Sequence, residues 1–230
     1  MSAPGPFVAP EILGTDVHRD RYGVGLLLIL VTIVSLSFSG VSRWTAPAVV
    51  AIMAMTVLVL LRASAVRPQR MRWATIGAIA AVVLSVAATA GGDRLDWVNP
   101  ALAAALVLVV PMAIVGRLRA QERIDTGMVY GALCLYLLAG FFFASIYSLI
   151  DRLGGEPFFV QDGARDPVDF VYFSFITLAT VGYGDLTARG DLGRMLAVTE
   201  TMLGQLYLVA VVATLVANLG ETRRRRSDGG

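Results

Sequence analysis

The chain of 230 residues contains no lysine, one cysteine and one histidine, and only 16% of it is charged. Each shortage removes a class of function. The single cysteine, Cys134, has no partner in the chain, so no internal disulfide framework is available. The lone histidine, His18, lies in a polar N-terminal stretch and leaves no basis for histidine-centred catalysis. All nineteen basic residues are arginine and the net charge is only +2, too small to suggest nucleic acid. Soluble domains carry about 25% charged residues. Here 57% of residues are hydrophobic and the mean hydropathy is +0.71, which points to a membrane protein.

A hydrocarbon core of about 30 Å takes about 20 helical residues to cross. Charge-free apolar runs of that order occupy residues 22–42, 44–61, 73–92, 97–116 and 126–150, and a sixth, 195–220, is interrupted only by Glu200. Arg43 alone separates the first two, which predicts a tight hairpin. A further apolar stretch, 170–184, is too short to span and ends in glycines, the pattern of a re-entrant segment. The expected fold is therefore an all-α membrane protein. It has six transmembrane helices, with a short re-entrant helix and loop between the fifth and sixth. The segments are a disordered or interfacial N-terminus (1–21), a four-helix domain (22–116), a linker (117–125), a second helical domain (126–220) and a basic tail (221–230).

Arginines set the orientation. Thirteen fall in the set of connections that holds both termini (19, 21; 62, 67, 70, 72; 117, 119, 123; 223–226) and six in the other set (43, 94, 152, 165, 189, 194). By the positive-inside rule both termini are cytoplasmic, in a multi-pass protein of the plasma membrane. The N-terminal stretch lacks the apolar core and cleavage site of a signal peptide. The ten residues after Gly220 are too few for a cytoplasmic regulatory domain, and no internal repeat is visible.

Residues 177–185 read TLATVGYGD. Glycine costs about 0.5–1 kcal/mol inside a regular element but reaches positive φ freely. Gly182 and Gly184 at positive φ would let successive carbonyls face one side. Four copies around an axis would then stack rings of oxygen that replace an ion's hydration shell. Upstream, Asp166-Pro167 reads as helix cap and first position, with Asp169 in the first turn, which predicts a helix from about 167 to 179. Its C-terminal, negative dipole end favours a cation.

The six residues 180–185, TVGYGD, resemble the signature of the potassium-channel family. A chance match at one position is on the order of 10⁻⁷ to 10⁻⁸. The resemblance implies that Thr180, Val181, Gly182 and Tyr183 coordinate potassium. Gly184, Asp185, Tyr172, Phe173 and Thr177 would support the filter, with the Tyr183 ring packed on pore-helix aromatics. Many bacterial members place a pore-helix glutamate against the filter aspartate; Ile176 stands there instead, so acid-linked filter inactivation of that type is not expected. One filter loop per chain implies a homotetramer, with potassium as permeant ligand, no cofactor and no enzyme chemistry.

The last span resembles the family's inner helix, with Gly204 at the usual hinge position. Gln205, Leu208, Val212 and Val216 recur at spacings of three and four, so they share a face, assigned to the cavity and its gate. Glu200 lies about 140° round the helix from Gln205 and faces the pore helix or a neighbouring inner helix. It is either a hydrogen-bonding acid behind the filter, with Thr177 a candidate donor, or a gating acid. Six spans with this filter resemble the voltage-gated architecture, yet the fourth span carries no arginine every third residue. Strong voltage gating is therefore not expected. Arg223, Arg224, Arg225 and Arg226 are candidates for binding anionic lipid. The alternatives are a weakly selective cation channel and, further off, a coupled transporter; the latter usually shows two related halves with broken helices.

Overall fold

The computed structural model describes residues 16–38, 44–64, 67–92, 95–118, 126–163 and 165–227. Seven helices follow in order: α1 (Asp16–Phe38), α2 (Thr45–Ala63), α3 (Pro68–Ala90), α4 (Val98–Leu118), α5 (Thr126–Leu153), α6 (Pro167–Leu178) and α7 (Asp191–Ser227). No strand occurs among the described residues; Phe159 and Ala188 form one isolated antiparallel bridge. Among the described residues, four helical segments are long and apolar enough to cross a membrane: Thr45–Ala63, Pro68–Ala90, Val129–Leu153 and Asp191–Thr214. The described apolar parts of α1 and α4, Tyr22–Leu36 and Val98–Val109, are shorter. The 12 residues of α6 rise about 18 Å, well short of a hydrocarbon core.

Two helix ends differ from the sequence reading. α1 starts at Asp16, inside the segment expected to be disordered or interfacial, and α7 runs through the four arginines to Ser227 instead of stopping at Gly220. In both cases the polar residues continue the helical turn beyond the apolar run; hydropathy marks the run, not the turn. The rest of the N-terminal segment, most of the 117–125 linker and residues 228–230 lie outside the described residues.

Two apolar cores hold the chain together. In the first, α2 is central and packs on α1, α3 and α4, while α5 packs on α1, α4 and α6. Ile29, Val50, Met53, Leu60, Cys134 and Leu138 are buried there. Polar ties cross it: the Tyr22 and Ser64 hydroxyls lie 3.1 Å apart, and Ser85 donates to Asn99 Oδ1 at 2.6 Å. The second core is aromatic. Tyr147 of α5, Phe158 and Phe159 of the following loop, and Phe170 and Phe173 of α6 pack with ring centroids 5.0–6.0 Å apart. Such contacts add about 0.5–1.5 kcal/mol each beyond burial. This core seats α6 against α5. By contrast α3 and α7 expose many large apolar side chains, among them Ile79, Val83, Met202, Leu206 and Val209, as faces that meet lipid or another chain do.

Candidate functional site

The site is assembled from the start of α6 onward. Asp166 is extended (φ −76°, ψ 150°), Pro167 takes the first helical position, and the Asp169 carboxylate accepts the Asp166 N–H at 3.0 Å. Proline has no N–H to leave unpaired at that position. The helix ends at Leu178, and the next residues turn back onto its last carbonyls. Thr180 N–H donates to Thr177 O at 3.0 Å; Val181 and Gly182 N–H both donate to Ile176 O, at 2.8 and 3.2 Å.

No peptide bond among the described residues is cis. A trans peptide points its carbonyl opposite to the N–H that follows. Three consecutive N–H groups turned onto α6 therefore put the carbonyls of Ala179, Thr180 and Val181 on one side, away from the helix. Positive φ then recurs at every second residue: 58° at Thr180, 52° at Gly182 and 80° at Gly184. The two glycines were expected there. Thr180 was not: a β-branched residue pays about 1–2 kcal/mol for the left-handed region, and nothing in its letter announces that. Val181 and Tyr183 are exposed, Tyr183 by 72%, so the packing expected for its ring has no counterpart inside a single chain.

Asp185 finds its partner one turn earlier than the absent glutamate. The Tyr172 hydroxyl donates to Asp185 Oδ2 at 2.7 Å. That bond to a carboxylate, then partial burial, holds the Tyr172 phenol above its ordinary pKa. Beyond Asp185 the chain is tied to the loop before α6: Val160 N–H donates to Thr187 O at 2.9 Å and Arg189 N–H to Phe158 O at 2.8 Å. Asp151, fully buried at the end of α5, holds the base of that loop by accepting from Phe158 N–H at 2.9 Å and Arg165 Nε at 3.1 Å. Phe173, expected to support the filter, lies in the aromatic core beneath it.

One face of α7 grips α5 and α6 turn by turn. Glu200 is wholly buried. Its Oε2 accepts from the Tyr147 hydroxyl at 2.6 Å and its Oε1 lies 2.5 Å from the Ser174 hydroxyl, which is also 2.7 Å from Gly140 O. Thr201 Oγ1 donates to Thr177 O at 3.2 Å, and Tyr207 OH to Ala132 O at 2.7 Å. At Gly204 an added Cβ would sit 2.7 Å from Leu178 Cδ1 and 2.9 Å from Leu178 O. The glycine thus lets α7 touch the end of α6. Gln205 Nε2 donates to Thr180 Oγ1 at 3.3 Å, which puts the amide beside the first residue of the motif.

The structure brings Thr177, Thr180, Glu200, Gly204 and Gln205 together where α6 meets α7. On the Gln205 side of α7, Val212 is exposed and Leu208 half-buried within one chain; the side chains of Val216 and Arg223–Arg226 lie outside the described residues. Among the described residues no group of three or more His, Cys, Asp or Glu is placed to hold a metal ion. Sequence reasoning faced Glu200 toward α6 or a neighbouring inner helix, with Thr177 a candidate donor. The observed donors are Tyr147 and Ser174. Their signal was available: each is a polar letter inside an otherwise apolar run.

Residues 131–221 match a family model described as "Ion channel". Over 89 residues the chain is 32% identical to "Two pore potassium channel a" of Oryza sativa subsp. japonica; the alignment covers 39% of this chain and 22% of that protein. Over 107 residues it is 29% identical to "Protein LctB" of Bacillus caldotenax, covering 44% of this chain and 78% of that protein. No solved structure matches the chain. With the membrane-length helices, the family match supports an ion-channel domain over α5, α6 and α7; the first four helices lie outside it.

Proposed function

We propose that four copies of this chain surround one pore and conduct potassium passively across the plasma membrane, with both termini cytoplasmic and little intrinsic voltage dependence. The observation that carries the reading is the backbone after α6. Three N–H groups turned onto the helix, carbonyls on the opposite side, and alternate residues at positive φ are what a ring of carbonyl ligands requires. In this reading Thr180, Val181, Gly182 and Tyr183 line the filter. The Tyr172–Asp185 bond and the ties from Val160 and Arg189 brace its outer mouth. α6 directs its negative dipole end at the ion path. Six spans enclose the arrangement, with α6 re-entrant between the fifth and sixth. Gln205, Leu208, Val212 and Val216 face the cavity, Gly204 serves as contact and hinge, and Glu200 couples inner helix to filter support. Arg223–Arg226 contact anionic headgroups. The likeness to a rice potassium channel supports potassium over a less selective cation path.

Gly182→Ala tests the reading at its centre. An added Cβ would meet nothing within 4 Å, but φ there is 52°, so any loss is conformational and not steric. Potassium flux in proteoliposomes should vanish while expression and the mass of the detergent-solubilised tetramer stay unchanged. Undiminished selective flux in the variant, or a stable functional monomer, would remove the filter from these residues.

A further inference from the structure

Between α2, α4, α5 and α6, with the end of α3 at its edge, lies a cavity of about 340 Å³ that the proposed conduction path does not use. Its mouth is polar. Asp96 of the α3–α4 connection, Arg152 at the end of α5 and Asp166 at the cap of α6 stand there, on the side of the membrane from which α6 enters. Arg152 pairs with Asp96 at 3.1 Å and donates a second bond to Arg165 O at 3.3 Å. Arg165 is itself taken by Asp151. Asp96 is thus paired with Arg152, while Asp166, whose side chain caps the first turn of α6, has no ion-pair partner among the described residues, an excess of one negative charge. Just inside, the half-buried Ser148 hydroxyl has no hydrogen-bond partner among the described residues.

The interior is apolar, lined by Met53, Ala103, Val107 and Phe141. From Arg152 down to Phe141 is 11 residues of α5, or about 16 Å along its axis. A long apolar slot with a few polar groups at one end is the usual form of a small-molecule site, and 340 Å³ is at the small end of such sites. That volume suits one chain or one ring system, not the paired tails of a phospholipid. Phe170 and Val171 form one wall, so an occupant touches the helix that leads into the TVGYGD segment.

We propose that this cavity binds a single-chain amphiphile with a cationic head. The ammonium sits between Asp96 and Asp166 within reach of the Ser148 hydroxyl, and the apolar body lies along α5 toward Phe141. The excess carboxylate selects a cation over a neutral or anionic head, and the slot's length and apolarity select an alkyl or aryl body.

The test is photolabelling of the full chain in proteoliposomes with a dodecylamine that carries a mid-chain diazirine. The expected result is labelling of peptides containing Met53, Val107 or Phe141 that plain dodecylamine competes away. Asp96→Asn removes the excess charge at an exposed position and should cut that labelling by about twofold to fivefold, the scale of one partly exposed charge contact. Ala103→Phe fills the slot and should abolish it. Should that variant fail to fold, Asp96→Asn still decides the matter. Equal labelling by the matching dodecanoic acid probe would overturn the cationic preference. Equal labelling by a diazirine phosphatidylcholine, or labelling that dodecylamine does not compete, would make the slot a place where bulk lipid tails rest. Binding here does not depend on conduction, so the proposal stands or falls apart from the filter assignment.

Discussion

Glu200 shows how a single buried acid can join three helices. It meets Tyr147 of α5 and Ser174 of α6 from its place on α7. The Ser174 hydroxyl has one proton and two close oxygens, Glu200 Oε1 and Gly140 O. The bonding at this junction therefore changes with the proton on Glu200. Glu200→Gln should keep potassium selectivity, since no Glu200 oxygen touches the proposed ion path, but should shift open probability and its dependence on pH. Single-channel recording across pH 5 to 8 checks this; gating identical to the parent chain would leave Glu200 as packing alone. Gly204 makes a different kind of prediction. A methyl group there collides with both side chain and carbonyl of Leu178, and overpacking of this sort costs about 1–3 kcal/mol. Gly204→Ala should lower the melting temperature of the assembled protein and disturb conduction together. A loss of gating mobility with no loss of stability would favour the hinge role over the contact. The sequence announced Gly182 and Gly184, because only glycine accepts such dihedrals without strain. It hid Thr180, whose positive φ is imposed by the N–H bonds to Ile176 and Thr177.

The helices were legible from long apolar runs, but their ends and neighbours were not. A run of apolar letters fixes where hydrocarbon can lie. It says nothing of a polar turn added beyond it, as at Asp16 and along Arg223–Arg226. Periodicity likewise gave the face on which Glu200 lies but not the helix across from it, because that depends on how α5 and α6 pack. Two predictions belong to elements. No arginine lies between Val98 and Gly116 of α4, and steep gating needs several charges moving at about 2.3 kcal/mol per charge per 100 mV. Conductance should therefore vary weakly with voltage; a curve as steep as that of an arginine-bearing sensor would contradict this. The end of α7 carries Arg223–Arg226 on a continuous helix from the proposed inner pore. Basic residues near an anionic surface contribute about 1 kcal/mol each. Open probability should differ between neutral and anionic bilayers, and neutralising the four arginines should erase the difference. An unchanged lipid response would leave these residues a topological role only.

As a whole the molecule divides its labour. The aromatic core and Asp151 fix the loop that frames α6. α7 presses against the end of α6 through Gly204, and both leave the face from Met202 to Val212 uncovered within one chain. A single chain thus leaves one set of carbonyls and one apolar face of α7 uncovered, which the proposed assembly around an axis would complete. The backbone turn after α6 could be anticipated from six letters, because its two glycines take the positive φ that other residues avoid. The first four helices could not, because burying apolar surface in lipid is met by many sequences. The most direct test of the central claim is the reversal potential of the reconstituted protein with potassium on one side and sodium on the other. It should fall close to the potassium equilibrium potential. A reversal near zero would mean that the TVGYGD backbone does not discriminate between the two ions.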